Sequence, residues 1–141
     1  MRTSAASRLF WAALFALLPL LAAGCSGKER GHTYTMRAQV EELPAQGSNE
    51  LYLTHEPIDD YVGRSGKVEG MDSMSMPFPV AKGVSLDGIE SGDIIEAQLH
   101  VDWEADLGVQ VQITGIRELP RDTRLHFGEA KPKPQNAEEG N

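Results

Sequence analysis

The chain has 141 residues, a formal net charge of −8 and a single cysteine. The length suits one small domain with a leader and tails. An acidic chain without lysine or arginine clusters in its mature part is a poor partner for nucleic acid, whose phosphates are bound mainly by those residues. One cysteine excludes both a disulfide framework and a multi-thiolate metal site within one chain.

Residues 1–24 form a targeting segment rather than part of the fold. Arg2 and Arg8 give a positive start, and an apolar run over residues 9–21 follows. That run has the length of a signal-peptide core and is short of the roughly 20 residues that span a membrane. Small residues then precede Cys25, and this pattern resembles a bacterial lipoprotein box. The resemblance implies cleavage before Cys25 and diacylglyceryl attachment to its sulfur. The alternative is an ordinary secretory signal in which the cysteine is incidental.

A lipid-anchored tether is expected over residues 25–32, which are mostly small and polar. Its acyl chains would keep the protein at the extracytoplasmic face of a membrane. Ser26 stands where an aspartate is associated with inner-membrane retention, and this favours the outer membrane if the host has one. Because a lipidated sulfur is no longer a thiolate, Cys25 is not expected to bind a metal.

The mature chain consists of short segments rich in β-formers, separated by turn residues, and no helix of useful length is expected. The predicted strands cover residues 33–43, 50–55, 74–80, 94–101 and 109–119. Five strands over residues 33–119 predict an all-β fold, a small five-stranded OB-like barrel. The polar segment 120–141 is expected to be a disordered tail.

Several segments and side chains outside the strands carry weaker expectations. Residues 59–70 are rich in glycine and charge and predict a long exposed loop. Trp103 lies in a hairpin loop and is expected to plug the gap between surface and core. His100 is expected to be exposed on the polar side of its strand, whereas His32 and His126 are expected to be solvated in the tether and the tail.

Three of the five methionines, Met71, Met74 and Met76, fall within six residues. On a strand, Met74 and Met76 project to the same face. Their thioethers are soft ligands that suit Cu(I) better than Zn(II), Mg(II) or Ca(II). His55 ends the preceding strand, so antiparallel pairing would place its imidazole opposite them. The pattern alone leaves open that the methionines fill the core and that a neighbouring group satisfies the histidine.

The motifs HEPI at residues 55–58 and MSMPF at 74–78, followed by the Gly-Asp turn at 92–93, resemble the CusF-type periplasmic copper-binding proteins. The resemblance implies an OB-like barrel that binds Cu(I), or the similarly soft Ag(I), through three ligands. By position these ligands are His55, Met74 and Met76.

Met71 departs from the pattern of that family. There, a tryptophan three positions before the first methionine of the pair covers the metal by a cation–π contact. Met71 stands at that position, either as an auxiliary thioether ligand or as a side chain that packs over the metal. The loop between His55 and the methionines is also longer, which resembles the branch that accompanies SCO/SenC-type proteins of cytochrome oxidase assembly.

The resemblance therefore implies a monomeric Cu(I) metallochaperone that delivers or sequesters copper, with a copper donor or acceptor protein as its partner. Two other classes stay open: an OB-type module that binds a glycan or a protein without metal, and an assembly factor that only docks to an oxidase or efflux complex. No nucleophile–base pair, phosphate loop or carboxylate cluster is recognisable, so an enzyme is not expected.

Overall fold

The computed structural model describes residues 30–132. Its strands are β1 (His32–Glu42), β2 (Glu50–His55), β3 (Ser75–Pro79), β4 (Ile94–Val101) and β5 (Val111–Glu118). Each strand lies within two residues of its predicted bounds. Over the described range, no helix is long and apolar enough to cross a membrane. The predicted signal peptide and Cys25 lie outside the described residues, and β1 includes His32, which was assigned to the tether.

The five strands form one antiparallel sheet in the order β3-β2-β1-β4-β5. Its two edges meet just after β3, where Val80 forms a parallel bridge with Ile113 of β5. There the Ala81 N–H donates to the Ile113 carbonyl at 2.9 Å. This contact closes the sheet, and the predicted all-β, OB-like barrel is confirmed.

The core follows from the two-residue period of the strands. On β4 every second side chain is buried, and on β2 Leu51 and Leu53 are fully buried in the same way. Complete burial of such a side chain stabilises the fold by about 1.5–3 kcal/mol. His55 is the next inward position on β2 and is also 0% exposed. The alternation that builds the core therefore places a histidine inside the barrel at the end of β2.

The segment 59–70 is exposed over much of its length, as its composition predicts, but it is not an irregular loop. Val62 and Val68 form an antiparallel bridge, and Tyr61 is only 8% exposed. The Trp103 indole N–H donates to the Val62 carbonyl at 3.0 Å, while its ring packs against the core. Aromatic burial thus folds this segment into a second hairpin, and Trp103 fills the predicted position between surface and core.

The predicted disordered tail also needs a correction over residues 120–132. Backbone N–H groups of residues 126, 128, 130 and 131 donate to side chains of the segment 56–73. These bonds attach a mostly exposed segment in which only a few residues, among them Leu125 and Ala130, are half-buried, and its composition gave no sign of them. The remainder of the predicted tail, residues 133–141, lies outside the described residues.

Candidate metal centre

His55 is a buried histidine with one ring nitrogen satisfied and one free. Its Nδ1 lies 2.7 Å from the carbonyl oxygen of Glu56, so Nδ1 carries the proton and donates it. Its Nε2 is buried and has no hydrogen-bond partner among the described residues. An unpaired buried polar atom costs about 1–3 kcal/mol and is rare in native proteins. A metal-binding imidazole has this arrangement, with the second nitrogen oriented by a carbonyl.

Burial also sets the protonation of this ring. Desolvation lowers the pKa of His55 below its ordinary value, against a smaller opposing effect of the Glu56 carbonyl. The neutral imidazole is therefore favoured at neutral pH, with its lone pair on Nε2. This is the form that binds a metal, because metal and proton compete for the same nitrogen.

Phe78 fixes the orientation of the imidazole from within the barrel. Its ring meets the His55 ring edge to face, with centroids 5.6 Å apart and planes at 76°. Phe78 is 0% exposed and comes from β3, the strand that carries Met76. Sequence reasoning did not assign it a role, although it is part of the motif that carries the resemblance.

Strand pairing brings two methionines to the histidine. The His55 N–H donates to the Met74 carbonyl at 3.2 Å, and the register pairs Leu53 with Met76. Facing residues of an antiparallel pair share a face, and diagonal neighbours about 7–8 Å apart remain within reach of long side chains. Met74 is thus opposite His55 and Met76 is diagonal to it. The backbone register therefore places these three residues next to one another, and their role as ligands stays a prediction.

The two thioethers differ in exposure. The Met74 side chain is 46% exposed, whereas Met76 is half-buried and packs against the core. The candidate site thus combines one buried imidazole, one half-buried methionine and one exposed methionine, which are soft donors and leave one side open. Such a set suits Cu(I) or Ag(I).

Met71 lies one step further along the same hairpin. It exchanges backbone hydrogen bonds with Ile58, at 2.9 Å from its N–H and 2.8 Å to its carbonyl. Its side chain is half-buried and packs against the core. It lies three positions before Met74, so regular alternation would put the two on opposite faces. The backbone joins Met71 to Ile58 rather than to His55, and its role as a ligand stays a prediction.

Glu56 supports the site from the outer side of the wall. Its carboxylate accepts two hydrogen bonds from Arg37, each 2.8 Å long, and is 14% exposed. Such a bidentate pair has a defined geometry. The Glu56 carbonyl also accepts the hydrogen bond from Nδ1 of His55. The ion pair with Arg37 therefore holds in place the residue that orients the imidazole. Sequence reasoning missed this pair, and only the position of an acid next to His55 pointed to it.

The other histidines have ordinary surroundings. His100 is half-buried rather than exposed, and its Nδ1 lies 3.2 Å from the Thr33 hydroxyl. His32 stacks on Tyr34 with centroids 6.2 Å apart. The His126 side chain is exposed, as predicted, although its backbone is bonded. Within residues 30–132 there is no group of three or more His, Cys, Asp or Glu that could hold a metal.

Comparison with known proteins gives structural neighbours only. No family model and no curated protein matches the chain. A crystal structure of Ag(I)CusF is similar, at 15% identity and a TM-score of 0.43, over 62% of this chain and 99% of that chain. An apo-CusF structure from Escherichia coli is similar at 14% identity and a TM-score of 0.46, over 68% and 98% of the two chains. A CusF–Ag(I) structure from Escherichia coli is similar at 14% identity and a TM-score of 0.45, over 64% of this chain and 96% of that chain.

Proposed function

We propose that this protein is an extracytoplasmic metallochaperone whose cargo is one Cu(I) ion. The observation that carries the proposal is the free, buried Nε2 of His55 on the strand that faces Met74 and Met76. A neutral imidazole and two thioethers form a three-coordinate set that suits Cu(I), and Ag(I) as its redox-inert analogue. The sequence motifs that resemble the CusF type support the same ligands.

The site is built for transfer rather than for permanent retention. Thioethers are neutral and polarizable, and the exposed one on Met74 leaves a side from which a partner's soft ligand can approach. The partner is a copper donor or acceptor of an efflux system or of cytochrome oxidase assembly. We further propose that the protein is a monomer attached to the membrane through lipidated Cys25, with its domain in the periplasm or at the extracytoplasmic face.

The first experiment removes one sulfur at a time without changing the shape of the site. Met74→Leu and Met76→Leu keep nearly the same volume, and Met36→Leu is the matched control because Met36 is buried in β1 at 3% exposure. In competition with a Cu(I) chelator we expect each site variant to lose at least about tenfold in affinity, or 1.4 kcal/mol. The control should bind as the wild type does. Wild-type affinity in both site variants would refute the ligand assignment.

The second experiment counts the ligands. X-ray absorption of the Cu(I)-loaded protein should show two sulfur neighbours and one nitrogen if His55, Met74 and Met76 form the site. Three sulfurs that fall to two in Met71→Leu would add Met71 as an auxiliary ligand. A protein that takes up no Cu(I) or Ag(I) after reconstitution would instead favour a glycan- or protein-binding module whose methionines belong to the core.

A further inference from the structure

Residues 54–58 and 71–75, here named the two arms, run antiparallel to each other and contain the candidate ligands. Their mutual hydrogen bonding is interrupted next to these ligands. In the register that pairs Thr54 with Ser75 and Ile58 with Met71, Glu56 faces Ser73. These two residues nevertheless direct their N–H groups elsewhere. The Glu56 N–H donates to the Arg37 carbonyl at 2.9 Å, and the Ser73 N–H donates to the Gly128 carbonyl, also at 2.9 Å.

Residues 126–132, here named the strap, fill this gap between the arms. On the β2 side, the His126 N–H donates to the Glu56 carboxylate at 2.7 Å. On the opposite arm, Gly128 both accepts from the Ser73 N–H and donates to the Ser73 hydroxyl at 3.0 Å. The strap thus bonds to the immediate chain neighbours of His55 and Met74, one on each arm.

The rest of the strap is attached to the same hairpin. The Ala130 N–H donates to Asp72 and the Lys131 N–H donates to Asp59, both at 2.7 Å. A Cβ placed on Gly70 would lie 2.8 Å from the Ala130 Cβ and 2.8 Å from the Pro132 Cγ. The absence of a side chain at Gly70 therefore allows the strap to lie close against the hairpin.

We propose that the strap positions the ligands, with Glu56, Ser73 and Gly128 as its positioning residues. It links the two arms at Glu56 and Ser73, which do not bond to each other, and so it supports the spacing of the adjacent pair His55 and Met74, whose backbones share one hydrogen bond of 3.2 Å. Loss of the strap lets the arms separate and speeds metal release. This inference rests on the proposed function, and its test separates the two.

The main test compares two glycines of one segment. Gly70 and Gly66 both have positive φ, +72° and +76°, so alanine strains the backbone equally at each, yet a Cβ at Gly66 meets no atom within 4 Å. In the full chain we expect Gly70→Ala to abolish hydrogen-exchange protection of the strap amides. It should also raise the Ag(I) dissociation rate about fivefold, the factor that corresponds to one hydrogen bond. Gly66→Ala should change neither quantity.

A second pair of variants acts from the strap itself and leaves the vicinity of Met71 untouched. Gly128→Pro removes the N–H that donates to Ser73, whereas the Glu129 N–H has no partner among the described residues, so Glu129→Pro is the control. Only Gly128→Pro should free the strap and speed dissociation. A freed strap with an unchanged dissociation rate would overturn the inference, as would strap amides that are unprotected in the wild type. A wild type that binds no Ag(I) would overturn the proposed function, and this inference with it.

Discussion

Replacing His55 by leucine should remove metal binding without unfolding the protein. In the apo protein the buried Nε2 lacks a partner among residues 30–132 and costs about 1–3 kcal/mol. Leucine fills a similar volume and has no polar atom, so this cost disappears. The variant loses the bond from Nδ1 to the Glu56 carbonyl, which contributes about 1 kcal/mol. We therefore expect apo His55→Leu to be between unchanged and about 2 kcal/mol more stable than the wild type.

The assay is urea unfolding of both proteins, with and without Ag(I). At a free concentration of 100 times its Kd, Ag(I) should stabilise the wild type by about 2.7 kcal/mol and His55→Leu by much less. Leu53→Ala, at the neighbouring inward position of β2, serves as the control for an ordinary core residue and should cost about 2–5 kcal/mol. A loss of more than about 2 kcal/mol in apo His55→Leu would refute this reasoning, because the imidazole would then stabilise the apo core in spite of its unpaired Nε2.

Three further predictions follow from the same surroundings. The pKa of folded His55 lies below its unfolded value, so its contribution to apo stability is fully present above about pH 6.5 and is lost as the pH falls through the folded pKa. Unfolding measured from pH 8 to pH 4 should show a loss of stability at acid pH that is smaller in His55→Leu. Glu56→Gln weakens the partly exposed pair with Arg37 and should cost about 1 kcal/mol in the same unfolding assay, with faster exchange of the strap amides. Tyr34→Phe removes the hydroxyl that accepts from the Val62 N–H at 2.9 Å, so exchange of that amide should accelerate while the barrel amides stay protected.

Alternation and pairing explain why the fold and the proximity of His55 to two methionines could be predicted, whereas the role of these residues as ligands stays a prediction. The sequence of β4 and β5 alternates between apolar and polar residues, which shows the period of two. Two antiparallel strands joined by one loop have their loop-side ends close together. His55 and Met74 are such ends, so their proximity needed only the two strand assignments. The structure then added what letters do not contain, the free Nε2 of His55.

The strap and the second hairpin could not be predicted because their contacts have no pattern in the sequence. The strap is attached through backbone N–H groups, which every residue except proline carries, and its acceptors Asp59 and Asp72 resemble any solvated acid. The hairpin around Tyr61 depends on a buried aromatic ring in a segment that is otherwise polar. Composition averages over a segment. The second hairpin, however, depends on one buried side chain, and the strap depends on a few side-chain acceptors.

In the proposed function, the unequal burial of the candidate ligands would give metal exchange an order. His55 is enclosed, oriented by Phe78 and the Glu56 carbonyl, and rigid in the wall of the barrel. Met74 lies just before β3, and its exposed thioether can rotate out at little cost. A partner's soft ligand would therefore replace the Met74 sulfur first, and the His55 nitrogen would leave last. The strap bonds to Ser73 and so restrains the backbone next to Met74, which leaves the rotation of the Met74 side chain as the motion that starts exchange.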